Sequence, residues 1–144
     1  MGHTYARIFI HCIFSTKNRE PTLLPERRVP LGNYLGGIAK SEGFHLIEAA
    51  GAADHLHLLI LLPANYPLAQ AVQKLKGGSS RWMGPNFAWQ QGYGAFSVSP
   101  SQVPAVRRYI RNQEPHHRKR DFAQEFLSLL RHCGVEFDER YVLG

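Results

Sequence analysis

The sequence predicts an α+β fold: a ferredoxin-like, RRM-like β-α-β-β-α-β antiparallel sheet with helices on one face, followed by C-terminal helices. Three observations predict it. Segments rich in β-branched and aromatic residues alternate with segments of helical apolar spacing in that order. The runs "FHLIEAAGA" and "HLHLLILLP" follow one another with only a turn near "GAAD", as in a hairpin. The chain of 144 residues, 44% apolar and 19% charged, has the size and composition of one soluble domain. Residues 1–144 are therefore expected to be a single domain, with a core over 4–100 and helices over 101–144.

The first strand is "TYARIFIHCIFST", closed by the polar "KNREP". Leu31, Tyr34, Leu35 and Ile38 have helical spacing, Gly43 is a stop, and Pro30 disfavours a helix interior, so the first helix is expected over 30–42. The hairpin strands follow. "PLAQAVQKLKGGSSRWMG" opens with Pro67 near a first helical position and lines up Leu68, Val72 and Leu75, with Gly77 and Gly78 as a place to end or bend. "YGAFSVSP" is a short fourth strand ended by Pro100. "SQVPAVRRYIRNQ" is a third helix with Pro104 in its first turn, and "DFAQEFLSLLRHCG" an amphipathic fourth ending at Gly134.

Seventeen Lys and Arg against eleven Asp and Glu give a net charge of +6, which favours a polyanionic partner. Arg107, Arg108, Arg111, Arg118, Lys119 and Arg120 crowd one segment, and the acids after it (Asp121, Glu125, Glu136, Asp138, Glu139) read as a neutralising tail. Cys12 and Cys133 lack metal-like or framework spacing and read as reduced structural cysteines. No apolar run reaches the roughly 18 residues of a membrane helix and no leader pattern opens the chain, so a cytoplasmic protein without membrane contact is expected.

Side chains at i and i+2 of a strand share a face, so His55 and His57 project together while Leu56 and Leu58 point into the core. Two imidazoles on one face are half of a metal site, although an isolated H-x-H is more often incidental. Tyr109 and Gln113, four apart, share a face of the third helix. Asp54 admits two readings: orienting a histidine or a metal-bound water, or a turn acid at a strand start. His3, His11, His45 and His132 read as structural, and His116 and His117 as solvated surface.

"DHLHLLI" resembles the His-hydrophobic-His motif of the HUH superfamily, and "YIRNQEPHH" resembles the nucleophile helix of its small single-tyrosine transposases, including those associated with repetitive extragenic palindromes. "HCIFSTKNREP", "LKGGSSRW", "FAWQQGYGAFSVS" and "FLSLLRHCGVEFDERYV" extend the resemblance almost end to end.

The resemblance implies a metal-dependent transposase that cleaves and rejoins single-stranded DNA at hairpin ends through a 5′-phosphotyrosine intermediate. Tyr109 would be the nucleophile, and His55, His57 and Gln113 the protein ligands of one divalent ion, Mg²⁺ or Mn²⁺, with no nucleotide cofactor. Pro115 puts the position of the Gln113 amide in question. Lys17, Arg19, Lys74, Lys76, Arg81, Arg108 and Arg111 are candidate DNA contacts, and Trp82, Trp89, Tyr93 and Phe96 candidate base-stacking aromatics or core. A homodimer is expected. Two other readings compete: a catalytically inactive RRM-like nucleic-acid-binding module, and an HUH nickase with a host-adopted role.

Overall fold

A computed structural model of the protein describes residues 2–113 and 121–143. Pro115, His116, His117, Arg118, Lys119 and Arg120, whose roles the sequence suggests, lie outside the described residues. The described elements are β1 (Ile8–Ser15), α1 (Pro25–Glu42), β2 (His45–Gly51), β3 (His55–Leu62), α2 (Leu68–Met83), β4 (Gly94–Val98), α3 (Val103–Arg111) and α4 (Phe122–His132). Short 3₁₀ turns cover Lys17–Arg19 and Pro100–Gln102. The strands form one antiparallel sheet in the order β2-β3-β1-β4, the order expected of a split βαβ fold.

β3 is buried on both faces, and its alternation divides the molecule in two. Leu56, Leu58, Ile60 and Leu62 join Cys12, Phe14 and the inner residues of α1 and α2 in the larger apolar core. His55, His57, Leu59 and Leu61 point the other way, toward α3 and α4. Helices thus cover both faces. α3 contributes Ile110, Val103 and Val106 over Phe9 and Leu59, while α4 lays Phe122, Phe126 and Leu130 on Ile13 and Phe96. Gly94 permits that approach: a Cβ there would sit 2.7 Å from the Phe126 ring and 2.9 Å from Ile13.

α1 starts at Pro25, five residues earlier than Pro30 suggests. Pro25 takes the first helical position, where its missing N–H costs nothing, and Pro30 is carried inside the helix. α2 runs straight through Gly77 and Gly78. A Cβ on Gly78 would meet Ile38 at 2.6 Å, so this glycine serves close packing of α1 on α2. α3 ends at Arg111 with Asn112 as its cap, shorter than expected, so Gln113 stands just past the helix end. Cys12 is buried and Cys133 exposed, both free, and among the described residues no helix is long and apolar enough to cross a membrane.

Candidate active site

The hairpin that joins β2 to β3 sets the first two imidazoles. Gly51 pairs with Leu56, and the Ala52 N–H donates to the carbonyl of His55 at 3.1 Å. A Cβ on Gly51 would collide with that same carbonyl, so the tight turn requires glycine there. Asp54 is tied to the end of β1 through its carbonyl, which accepts from the Thr16 N–H at 2.8 Å. His55 and His57 therefore leave a doubly anchored strand on the α3/α4 side, both fully buried.

α3 brings the tyrosine. Ile110 is fully buried and fixes the helix on the sheet, which swings the half-buried Tyr109 ring to 5.7 Å from His57 and 6.1 Å from His11. The last carbonyls of a helix lack partners within it. Gln113, fully buried beyond the helix end, donates its amide to the Tyr109 carbonyl at 3.2 Å and faces His55 Nε2 with its Oε1, also at 3.2 Å. The short α3 thus leaves the Gln113 oxygen on the histidines.

α4 supplies a group absent from the sequence-based candidates. Asp121 caps the helix reciprocally with Gln124, their bonds 2.8 and 3.1 Å long, which sets the rotation of the first turn. Glu125, 1% exposed, then projects into the site. Its Oε1 lies 2.8 Å from His57 Nε2 and 3.4 Å from His55 Nε2, and its Oε2 accepts the Tyr109 hydroxyl hydrogen bond. Ligand atoms of His55, His57 and Glu125 all lie within 4.8 Å of one another. Glu125 is a site residue and not part of a neutralising tail. The signal was present: it interrupts the apolar stripe of Phe122, Phe126, Leu129 and Leu130, where a carboxylate requires a buried partner.

Two further groups back the imidazoles. Asp54 accepts from His55 Nδ1 at 2.8 Å. Burial opposes a charge on His55, but the hydrogen bonds to Asp54 and Glu125 outweigh it and raise the imidazole to about 9. His11, read from sequence as structural, has its Nε2 2.8 Å from His57 Nδ1. Burial, with His57 beside it, pushes His11 down to about 3.

Residues 4–113 match the family described as "Transposase IS200 like". The chain belongs to the IS200-like transposases. It is 25% identical over 124 residues to the transposase of insertion sequence IS200 from Salmonella typhimurium, covering 78% of this chain and 81% of that one. It is 28% identical over 124 residues to the ISDra2 transposase TnpA of Deinococcus radiodurans, covering 78% and 87%. Its fold matches the structure of a REP-associated tyrosine transposase bound to a REP hairpin, with a TM-score of 0.64 at 15% identity over 81% of this chain and 73% of that one. The family match in this transposase ends at Gln113, so it takes in His55, His57 and Tyr109 but stops before Glu125.

The basic candidates divide by position. Lys17 and Arg19 are exposed on the turn after β1, whose last residue, Ser15, pairs with His55. In that turn Asn18 and Arg19 hold φ of 56° and 55°, a left-handed backbone uncommon outside glycine. Lys74 and Arg81 are exposed on α2, across the sheet from the histidines. The Lys76 ammonium donates to the carbonyls of Gln90 and Gly92 at 2.6 and 2.9 Å and so clamps the loop before β4. Arg108 is exposed, while Arg111 is ion-paired with Glu48 of β2. Trp89 and Phe96 are core, Trp82 stacks on Tyr34, and Tyr93 is exposed.

Proposed function

We propose that this transposase cleaves and rejoins single-stranded DNA at hairpin ends through a 5′-phosphotyrosine at Tyr109, with one divalent ion, Mg²⁺ or Mn²⁺, and no nucleotide cofactor. The observation that carries the reading is that Tyr109, His55, His57 and Gln113, drawn from β3 and from the two sides of the α3 terminus, meet in one space within a single chain. The donor set fits the ion. Two imidazole nitrogens, the Gln113 oxygen and Glu125 Oε1 are the mixed nitrogen and oxygen ligands that suit Mn²⁺, and Mg²⁺ in use. Such an ion, when held there, supplies positive charge to the phosphoryl oxygens of the scissile bond.

The chain's own residues do the rest. An unperturbed tyrosine loses its proton near pH 10, so the nucleophile needs an acceptor at hand. Tyr109 already donates to Glu125 Oε2. Glu125 takes the phenolic proton as the tyrosine oxygen bonds to phosphorus and the bond to the 3′ oxygen breaks. That oxygen takes a proton from solvent and leaves as a free 3′-hydroxyl. Attack by another 3′-hydroxyl on the phosphotyrosine reverses the step and joins strands, so the bond energy is kept and no nucleotide is consumed.

Lys17 and Arg19, exposed on the turn after β1, and the exposed Arg108 meet the backbone of the incoming strand, with Lys74 and Arg81 available to a duplex stem reaching the other face. The hairpin substrate has support from the REP hairpin held by the structural neighbour. The chain acts as one domain in the cytoplasm and as a homodimer in which each copy carries its own site. The inactive RRM-like reading loses its platform, because helices cover both sheet faces and Phe9 and Phe96 are buried beneath α3 and α4.

The test incubates labelled hairpin DNA bearing a single-stranded flank with the protein and Mn²⁺, and resolves the products under denaturing conditions. A covalent protein–DNA adduct that needs the ion and is absent from Tyr109→Phe is expected. An adduct formed equally by Tyr109→Phe would remove Tyr109 as the nucleophile.

A further inference from the structure

Resting on the metal reading of the site, we infer that His11 is a positioning residue: it holds the ring of His57 and exchanges tautomers with it when the ion is taken up. His11 and His57 point to the same face from adjacent strands, two β3 residues apart in register, since His11 pairs with Leu59 and His57 with Ile13. Their nitrogens are 2.8 Å apart, the ring centroids 5.0 Å apart and the planes 28° from parallel. This is an edge-to-edge meeting in which one nitrogen's N–H lies close to the plane of the other's lone pair. The Phe96 and Tyr109 rings flank His11 edge-on and leave it 5% exposed, so the contact is shielded from water.

The two site histidines are backed differently. His55 has a carboxylate behind it, Asp54, which only accepts hydrogen bonds. His57 has an imidazole, which either donates or accepts. That choice matters because the far nitrogen of His57 faces Glu125 Oε1 at 2.8 Å. Without an ion, His57 donates from Nε2 to Glu125, and its Nδ1 accepts from the Nε2–H of His11. With an ion, His57 must offer the Nε2 lone pair, so its proton sits on Nδ1 and is donated to His11 Nε2, while His11 carries its own proton on Nδ1. The proton between the rings passes from His11 to His57, His57 gives up its Nε2 proton to solvent, and His11 takes one from solvent at Nδ1. The pair holds the same number of protons throughout, and the bond is kept in both states.

A carboxylate in place of His11 would keep the bond in one direction only. It would also add a third acid to Asp54 and Glu125, whose two charges already match those of a divalent ion, and leave net negative charge facing a phosphodiester.

The experiment reads ring-nitrogen protonation by long-range ¹H–¹⁵N NMR, metal-free and saturated with Mg²⁺, together with Mg²⁺ affinity by calorimetry and Tm in chelator. Both histidines are expected as the Nε2–H form without the ion and the Nδ1–H form with it. His11→Phe should bind Mg²⁺ about 10–100-fold more weakly, the usual loss when an orienting partner is removed, and His11→Gln, which can also donate or accept, should stay within a few-fold of wild type. Unchanged tautomers on Mg²⁺ addition, or a folded His11→Phe that binds as wild type does, overturn the inference while leaving the metal site intact. A wild type whose Mg²⁺ and Mn²⁺ binding is absent, or is indifferent to His57→Ala, sinks the metal reading and the exchange with it.

Discussion

The two faces of the sheet are built on opposite rules. Toward α1 and α2, β3 offers Leu56, Leu58 and Ile60, all 0–1% exposed, to a core that holds itself together by apolar burial. Toward α3 and α4, the same strand offers His55 and His57, equally buried, to a cluster in which each polar group is held by another: Asp54 and Gln113 on His55, His11 and Glu125 on His57, and Glu125 on Tyr109. Burying unpaired polar groups costs several kcal/mol, so this face is stable only as a network. One face therefore carries the fold, which frees the other to gather groups that a core would exclude.

Neighbours in β3 break the comparison most sharply. His57→Ala should cut adduct formation by at least about 100-fold while the chain still folds, because it removes a proposed ligand at the reacting centre. Leu58→Ala, one residue on, should lower the unfolding free energy by about 2–5 kcal/mol and leave cleavage per folded molecule near wild type. Denaturant titration and the adduct assay separate the two; equal effects on both readouts would erase the division of labour.

A smaller effect comes from pH. His55 is raised from 6.5 to about 9 in the folded chain. Its contribution to stability is thus fully present below pH 6.5 and is lost as pH rises through about 9. In chelator, Tm should fall across that window for wild type and stay flatter for His55→Asn. The smallest effect is on the turn after β1: Lys17→Ala should reduce the slope of log affinity against log salt by about 1 without changing the cleavage site.

Much of this was legible in the sequence, for physical reasons that also explain the rest. A period of two placed His55 and His57 on one face, and four-residue spacing placed Tyr109 near Gln113. The order of elements gave the sheet. Glu125 stayed hidden because its meaning depends on where α4 docks, 68 residues from His57 in sequence, and because an acid after a basic run reads as charge balance. His11 stayed hidden because strand register is not written in either strand alone. The first helix begins earlier than its sequence suggests, because Pro25 opens it and Pro30, a residue that disfavours a helix interior, is carried inside.

The central claim is that one chain holds a whole site, with Tyr109, His55, His57, Gln113 and Glu125 meeting without help from a second copy. Mixing Tyr109→Phe with His57→Ala and assaying the adduct tests it most directly. The mixture should form no more adduct than the two variants do separately. Recovery toward about a quarter of wild-type adduct, since half the dimers would be mixed and each would hold one intact site of two, would show that the tyrosine of one chain works on the histidines of another, and would contradict the account.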